Sequence, residues 1–214
     1  MIKACIFDLD GVIVDTAKYH YLAWKRLAKG LGFDFTERHN ERLKGVARID
    51  SLKILLSIGG IKKNEQEIEL LAEVKNKWYV EYISQLTPAD ILPGTHEILT
   101  FLKEHNILVA LGSSSKNATT IIEHIGLKSD FEAVVDGNRL TKAKPDPEVF
   151  TKAADDLKVE YKYCIVFEDA ITGIEAAKRA GMKAIGIGDP FFLKQADLVV
   201  PSLDKLEFKK ILEF

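Results

Sequence analysis

The stretch "KACIFDLDGVIVDT", residues 3–16, decides the fold because it joins an apolar run to two closely spaced carboxylates. Its first half has the composition of a buried β-strand, and Asp8 and Asp10 stand where that strand ends. An unbroken apolar strand is typical of a parallel sheet that helices cover on both faces. Such sheets bind ligands beyond the carboxyl ends of their strands, so we predict that both carboxylates lie in a binding crevice.

The pattern of the remaining chain changes near residue 88. Residues 15–87 have helical periodicity, whereas short apolar runs alternate with amphipathic segments after them, which predicts βα units. We therefore predict the α/β class: a doubly wound, Rossmann-like parallel-sheet core of residues 1–14 and 88–214 with an inserted α-helical cap domain of residues 15–87. The further strands are predicted at residues 107–113, 133–136, 163–169, 183–188 and 197–200.

Two apolar stripes predict the main helices of the cap domain. The first stripe consists of Trp24, Leu27, Ala28 and Leu31, and the second consists of Leu71, Val74, Trp78 and Tyr82. Asn64 is a suitable N-cap for the second helix, because Glu65 and Glu67 would follow it in the first turn, where the helix dipole favours acidic side chains.

Composition and charge exclude several classes of protein. The 214 residues are 47% hydrophobic and carry a net charge of −2, so no broad basic surface is available for nucleic acid or an anionic membrane. The sequence has no run of 18 apolar residues and no signal-peptide pattern at its start. Cys5 and Cys164 lie in apolar runs, which favours buried thiols in a reducing compartment. We expect a cytoplasmic monomer with no nucleic-acid or membrane partner.

Polar side chains follow several of the predicted strands. Alone, each is also typical of a turn, a helix cap or a solvated charge. Together they would place four carboxylates, an ammonium group and several hydroxyl and amide groups at one edge of the sheet. These residues are Asp8 and Asp10 after the first strand, Ser113, Ser115, Lys116 and Asn117 after the second, Lys144 before two prolines, and Glu168 and Asp169 after "YCIVF".

The charges at this edge predict phosphoryl transfer. Crowded carboxylates repel one another and take up protons unless cations balance them, and one Mg²⁺ together with Lys144 would do so. Ser113 and the first amides of a helix predicted to begin near Lys116 would bind an anion. An aspartate can then act as the nucleophile and a second carboxylate as general acid and base, which we assign to Asp8 and Asp10.

The same residues carry a resemblance to a known family. "FDLDGVIVDT" (7–16), Ser113, "KAKPDP" (142–147) and "FEDAITGI" (167–174) resemble, in order, the four signature motifs of the haloacid dehalogenase superfamily. Three segments extend the likeness to the phosphomutases of that superfamily that act on β-glucose phosphates. They are "YHYLAWKRLAKGLG" (19–32), "ERLKGVARIDSL" (41–52) and "TPADILPG" (87–94).

The resemblance implies a role for each residue that matches a motif. Asp8 would be the phosphorylated nucleophile and Asp10 the acid and base. The magnesium ion would be bound by Asp8, Asp169 and the backbone carbonyl of Asp10, with Glu168 in or near its ligand shell. Ser113 and Lys144 would hold the transferring phosphoryl group.

The resemblance also implies residues that bind the rest of the substrate. Arg48 would bind the sugar's other phosphate, together with Ser115, Lys116 and Asn117. Further candidates are Thr16, His20, Trp24, Lys44, Gly45, Lys75 and Asn76. His20 has two interpretations: its spacing from Trp24 predicts a packed core histidine, whereas the resemblance implies a hydrogen bond near Asp10 and the hinge.

The activity implied by the resemblance is an isomerisation. It would interconvert β-D-glucose 1-phosphate and glucose 6-phosphate through an aspartyl-phosphate enzyme, with β-glucose 1,6-bisphosphate as the priming intermediate. The alternatives are a magnesium-dependent phosphatase acting on sugar phosphates or small phosphate esters, and a non-catalytic protein that binds magnesium or phosphate.

Overall fold

The computed structural model describes residues 1–43 and 46–214. They form two compact units, the core unit (Met1–Asp15 and Leu86–Phe214) and the helical unit (Thr16–Gln85). Lys44 and Gly45, both predicted to bind substrate, lie outside the described residues. The division into a catalytic domain and a cap domain assigns functions to parts of the chain and stays a prediction.

A parallel sheet organises the core unit, which confirms the predicted fold class. Over the part of the chain that the structure describes, the sheet has six strands in the order β3-β2-β1-β4-β5-β6, the order of a doubly wound fold. The strands are β1 Ala4–Phe7, β2 Leu108–Gly112, β3 Ala133–Val135, β4 Cys164–Glu168, β5 Lys183–Ile187 and β6 Leu198–Val200.

The centre of the sheet is apolar on both faces. Every residue of β1 and β4 is buried, and the rings of Phe7 and Phe167 stack with their centroids 4.4 Å apart. Cys5 and Cys164 are free and buried in these two strands, as predicted. Phe7 is in register with Leu111 of β2 and with Phe167 of β4. The carboxyl ends of β1, β2 and β4 therefore lie side by side at one edge of the sheet.

Four helices cover the sheet within the described part of the core unit. Two of them follow segments with predicted site residues. The seven-residue second helix begins at Ala118, two residues after the predicted start near Lys116, and Asn117 stands at its N-cap. The third begins directly after Pro147. In chain order the four are Thr95–Glu104, Ala118–His124, Glu148–Leu157 and Ile171–Arg179, which become α5 to α8.

The described residues of the helical unit form the first four helices, α1 Ala17–Gly30, α2 Glu37–Asn40, α3 Arg48–Ile58 and α4 Glu65–Ile83. Asn64 caps α4 as predicted: its Oδ1 accepts from Glu67 N–H at 2.9 Å, and Glu67 Oε2 accepts from Asn64 N–H at 3.0 Å. No helix among the described residues is long and apolar enough to cross a membrane.

The buried face of α4 differs from the predicted one. The predicted stripe of Leu71, Val74, Trp78 and Tyr82 is only half-buried. The fully buried line runs one residue further on, through Ala72, Lys75, Tyr79 and Ile83. The apolar pattern missed this line because it includes a lysine.

Candidate active site

The carboxyl ends of β1, β2 and β4 bring most of the predicted catalytic residues together. Asp8 follows β1 directly, Ser113 follows β2, and Glu168 ends β4. Lys144 enters from the segment before α7 and bonds to carboxylates of two of these strand ends. The strand order places β1 between β2 and β4, so Asp8 stands at the centre.

A buried lysine joins two of the carboxylates. Lys144 Nζ lies 2.6 Å from Asp8 Oδ1 and 2.8 Å from Glu168 Oε2. Asp8 is 6% exposed and Glu168 is 1% exposed, so water screens these charges only weakly. Lys144 and Asp8 are 136 residues apart in the sequence, so it is the fold that brings them together.

The pKa values of the site residues reflect the crowding of charge. Burial alone would lower the pKa of Lys144, but the charges of Asp8 and Glu168 raise it above its ordinary value. Burial raises the pKa of Glu168, and the charges of Asp8 and Asp169 raise it further, against the opposing effect of Lys144. Desolvation and then the charge of Asp8 likewise raise the pKa of Asp169. The single ammonium group of Lys144 therefore does not neutralise the three carboxylates of Asp8, Glu168 and Asp169.

Three carboxylates are placed so that one cation could bind them all. Oxygen atoms of Asp8, Glu168 and Asp169 lie within 4.8 Å of one another, with Asp169 the solvent-exposed member of the group. Hard oxygen ligands suit Mg²⁺, and its charge would offset the excess described above. The set therefore fits a divalent cation. The side chain of Asp10 is not part of this group, and the predicted role of its backbone carbonyl stays a prediction.

Two glycines in the motifs leave room for these carboxylates. Gly11 has a φ of +76°, and a Cβ atom there would lie 2.2 Å from Asp169 Oδ2. A Cβ atom on Gly173 of α8 would lie 2.0 Å from Glu168 Cδ. Both acidic side chains thus pack directly against backbone, which explains why these positions carry no side chain.

The predicted anion-binding residues form one loop after β2, which we call the 113–117 loop. Ser113 is 2% exposed, and its Oγ accepts a hydrogen bond from Ser115 N–H at 3.1 Å. Ser115 Oγ in turn accepts from Asn117 N–H at 3.2 Å. Lys116 is exposed, while Ser115 and Asn117 are half-buried. Each side-chain oxygen thus fixes a backbone amide two residues on.

Four of the predicted substrate-binding residues lie together within the helical unit. Lys75 Nζ lies 2.8 Å from His20 Nδ1 and 4.4 Å from the centre of the Trp24 ring. Tyr79 stacks on His20 with ring centroids 4.0 Å apart, and its hydroxyl donates to Thr16 Oγ1 at 3.2 Å. His20 is therefore packed, and its predicted hydrogen bond near Asp10 stays a prediction. The other two described candidates, Arg48 at the start of α3 and Asn76 on α4, are half-buried.

The basic side chains of this cluster are partly or fully buried, and burial lowers their pKa values. Burial lowers the pKa of Lys75 to about 7, with a further contribution from the charge of Arg48. Burial also lowers the pKa of His20 well below its usual value, followed by the charges of Lys75 and Arg48. Burial lowers the pKa of Arg48 itself. These groups repel one another, so an anion bound here would be stabilised.

Sequence reasoning missed three residues that support the site residues. Tyr79 lies four residues after Lys75 on the same face of α4, and that spacing could have identified it. Asp136 follows β3 at the same edge of the sheet and is 8% exposed. Its place directly after a strand could have identified it, although it belongs to none of the four motifs. Asn138 carries no sequence signal, since its contacts depend on how two loops meet.

Comparisons with known proteins agree with this arrangement. The family model described as haloacid dehalogenase-like hydrolase matches residues 5–187. A beta-phosphoglucomutase of Bacillus subtilis (strain 168) is 46% identical over 213 residues, 99% of this chain and 94% of that protein. A phosphorylated carbohydrates phosphatase of Thermotoga maritima is 32% identical, over 86% of this chain and 83% of that protein. The crystal structure of a beta-phosphoglucomutase from Clostridium difficile superposes with a TM-score of 0.92 at 44% identity, covering 100% of this chain and 96% of that one.

Proposed function

The chain belongs to the haloacid dehalogenase-like hydrolase family, and on that premise we propose that it is a phosphomutase. It interconverts β-D-glucose 1-phosphate and glucose 6-phosphate through an aspartyl-phosphate enzyme and β-glucose 1,6-bisphosphate. The observation that carries the proposal is the 46% identity to the beta-phosphoglucomutase of Bacillus subtilis over 99% of the chain. The buried Asp8–Lys144–Glu168 group supplies the chemistry.

Asp8 is the nucleophile in this proposal. One of its carboxylate oxygens bonds to phosphorus of the bisphosphate as the bond from phosphorus to the sugar oxygen breaks, and Asp10 gives that oxygen a proton. In the second half, Asp10 takes a proton from the 6-hydroxyl of an incoming β-glucose 1-phosphate, and that oxygen attacks the aspartyl phosphate. This step breaks the bond from phosphorus to Asp8, which regenerates Asp8 and forms the bisphosphate again. Lys144, 2.6 Å from Asp8 Oδ1, neutralises charge near the transferring group, and Ser113 donates to it.

The metal in the proposal is one Mg²⁺ ion. Asp8, Asp169 and the backbone carbonyl of Asp10 would hold it, with Glu168 in or near the ligand shell. When bound, the ion supplies positive charge that offsets the carboxylates and the oxygens of the phosphoryl group.

The substrate in the proposal carries a second phosphate, which is bound apart from the transferring one. Arg48 binds it through a planar guanidinium fork that suits phosphate. Ser115, Lys116 and Asn117 bind it from the 113–117 loop. Thr16, His20, Trp24, Lys75 and Asn76 are further substrate-binding candidates, with Lys75 and His20 already in contact.

Product analysis tests the proposal. The protein is incubated with β-glucose 1-phosphate, a trace of β-glucose 1,6-bisphosphate and Mg²⁺, and we expect glucose 6-phosphate with little free phosphate. EDTA should stop the reaction and added Mg²⁺ should restore it. Stoichiometric inorganic phosphate would replace the proposal with the phosphatase alternative, the activity named for the relative from Thermotoga maritima. No turnover of any sugar phosphate would favour a non-catalytic binding protein.

A further inference from the structure

A short turn packs against the 113–117 loop and belongs to no motif of the family resemblance. This 136–138 turn follows β3, the strand next to β2 in the sheet. Gly137 N–H donates to Ser115 O at 3.0 Å, so the backbones of the turn and the loop are directly bonded. The conformation of the loop therefore depends on the turn.

The side chain of Asn138 adds a second connection. Its Nδ2 donates to Lys116 O at 2.8 Å and to Asp136 Oδ2 at 3.2 Å, which uses both protons of the amide group. Asp136 is held in turn, because its Oδ2 accepts from Thr119 Oγ1 at 2.9 Å and its Oδ1 accepts from Asn138 N–H at 2.9 Å. Asn138 thus links the backbone of the loop to a buried carboxylate.

Close approach of the two backbones limits them to one arrangement. A Cβ atom on Gly137 would lie 2.3 Å from Ser114 O and 2.9 Å from Lys116 N. Both contacts are with backbone, which cannot rotate away as a flexible side chain would. Any side chain at this position would displace the 113–117 loop.

We propose that Asn138 is a positioning residue for substrate binding. Through its hydrogen bond to Lys116 O, it holds the 113–117 loop in the conformation that binds the phosphate group that is not being transferred. The inference rests on the proposed function, which assigns that phosphate to Ser115, Lys116 and Asn117. Asn138 acts through the loop backbone and is exposed, so its loss removes hydrogen bonds without opening the apolar core.

The test compares Asn138→Ala with Arg139→Ala. Arg139 lies next to the turn but pairs with Asp156 and donates to Val134 O, so it is a matched control. We expect Asn138→Ala to raise the KM for β-glucose 1-phosphate about three- to tenfold, the equivalent of one lost hydrogen bond. Its kcat, and the rate at which acetyl phosphate phosphorylates Asp8, should change less than about twofold. Arg139→Ala should leave all three unchanged.

Two further measurements keep the inference falsifiable. Gly137→Ala should raise the same KM, because it displaces the same loop. The Kd of glucose 6-phosphate, measured by calorimetry without turnover, should rise in Asn138→Ala and not in Arg139→Ala. If the wild-type protein released only inorganic phosphate, the proposed mutase activity would be wrong. The difference in Kd between the two variants would then still support the positioning role of Asn138. The inference would be overturned if both variants lost the same affinity for glucose 6-phosphate, or if the wild type did not bind it. It would also be overturned if Asn138→Ala lowered the rate of phosphorylation by acetyl phosphate by the same factor as it raised the KM.

Discussion

The proposed covalent mechanism depends on Asp8. We expect Asp8→Asn to reduce turnover to background, because a carboxamide cannot form an acyl phosphate. The variant should remain folded, since asparagine is nearly isosteric and Lys144 keeps its bond to Glu168 at 2.8 Å. Intact-protein mass spectrometry after treatment with acetyl phosphate should detect one added phosphoryl group in the wild type and none in the variant. Retention of more than a few per cent of activity would contradict the covalent mechanism.

A second residue-scale prediction concerns a hydroxyl group outside the site. Thr95 begins α5 and is fully buried, and its Oγ1 has no hydrogen-bond partner among the described residues. Replacing an unpaired buried hydroxyl by a methyl group removes a desolvation cost, so we expect Thr95→Val to raise the free energy of unfolding by about 1 kcal/mol.

Urea denaturation of matched variants checks this expectation. Thr119→Val is the control, because the Thr119 hydroxyl donates to Asp136 Oδ2 at 2.9 Å and its loss leaves a buried carboxylate short of a donor. The control should lower the free energy of unfolding. A fall of similar size in Thr95→Val would mean that its hydroxyl is satisfied.

At this scale, residues could be predicted from the sequence where a functional group follows a strand. Asp8 and Glu168 stand directly beside apolar runs, so the rule for parallel sheets places them at one edge without any knowledge of distances. Lys144 was placed at the same edge because it stands just before two prolines, but nothing in its own segment indicates a bond to a residue 136 positions away. Asn138 could not be found, since its bond to Lys116 O depends on the backbone path of two loops.

At the scale of elements, α4 has a titratable group on its buried face. Lys75 is 1% exposed, and burial followed by the charge of Arg48 lowers its pKa to about 7, against about 10.4 in an unfolded chain. Between these pH values the unfolded state binds more protons than the folded state, so stability rises with pH. The gain is fully present above about pH 10 and is lost as the pH falls through 7, with a slope of up to about 1.4 kcal/mol per pH unit.

Replacing the lysine measures this contribution. Lys75→Met should flatten the rise of the free energy of unfolding between about pH 7 and pH 10, as followed by urea denaturation. His20 faces Lys75 at 2.8 Å, and burial keeps its pKa well below this range, so it stays neutral. Lys77→Met, at an exposed position of the same helix, is the control and should keep the wild-type slope. Parallel curves for all three proteins would refute the assignment.

The elements differ in how well their patterns could predict them. All six strands lie inside or at the bounds of predicted runs, because a strand buried on both faces is continuously apolar and ends where polar residues begin. The face of α4 was misplaced by one position, because a buried lysine counts as polar in any hydropathy pattern. The start of α6 was placed too early, because Ser115 and Asn117 are used in loop hydrogen bonds before the helix begins.

At the scale of the whole molecule, charge limits how a bisphosphate can bind. The chain has a net charge of −2, so its overall field does not attract a substrate with two phosphate groups. Affinity must come from individual cations that are poorly solvated and close to the ligand. The proposal assigns this role to Lys144 in the core unit, which is buried, and to Arg48 in the helical unit, whose pKa is lowered by burial.

The second phosphate should therefore decide whether the protein acts as a mutase or a phosphatase. A mutase must protect the aspartyl phosphate from water while the bisphosphate reorients, and binding energy from the second phosphate supports that protection. We expect Arg48→Ala to weaken productive binding of β-glucose 1,6-bisphosphate about 10- to 100-fold, since charge-assisted hydrogen bonds are lost. It should also raise the fraction of phosphoryl groups released as inorganic phosphate. Lys53→Ala, an exposed change on the same helix, should leave both quantities unchanged. Unaltered phosphate release in Arg48→Ala would show that Arg48 has no part in this partition, because the water reaction would then be independent of the second phosphate.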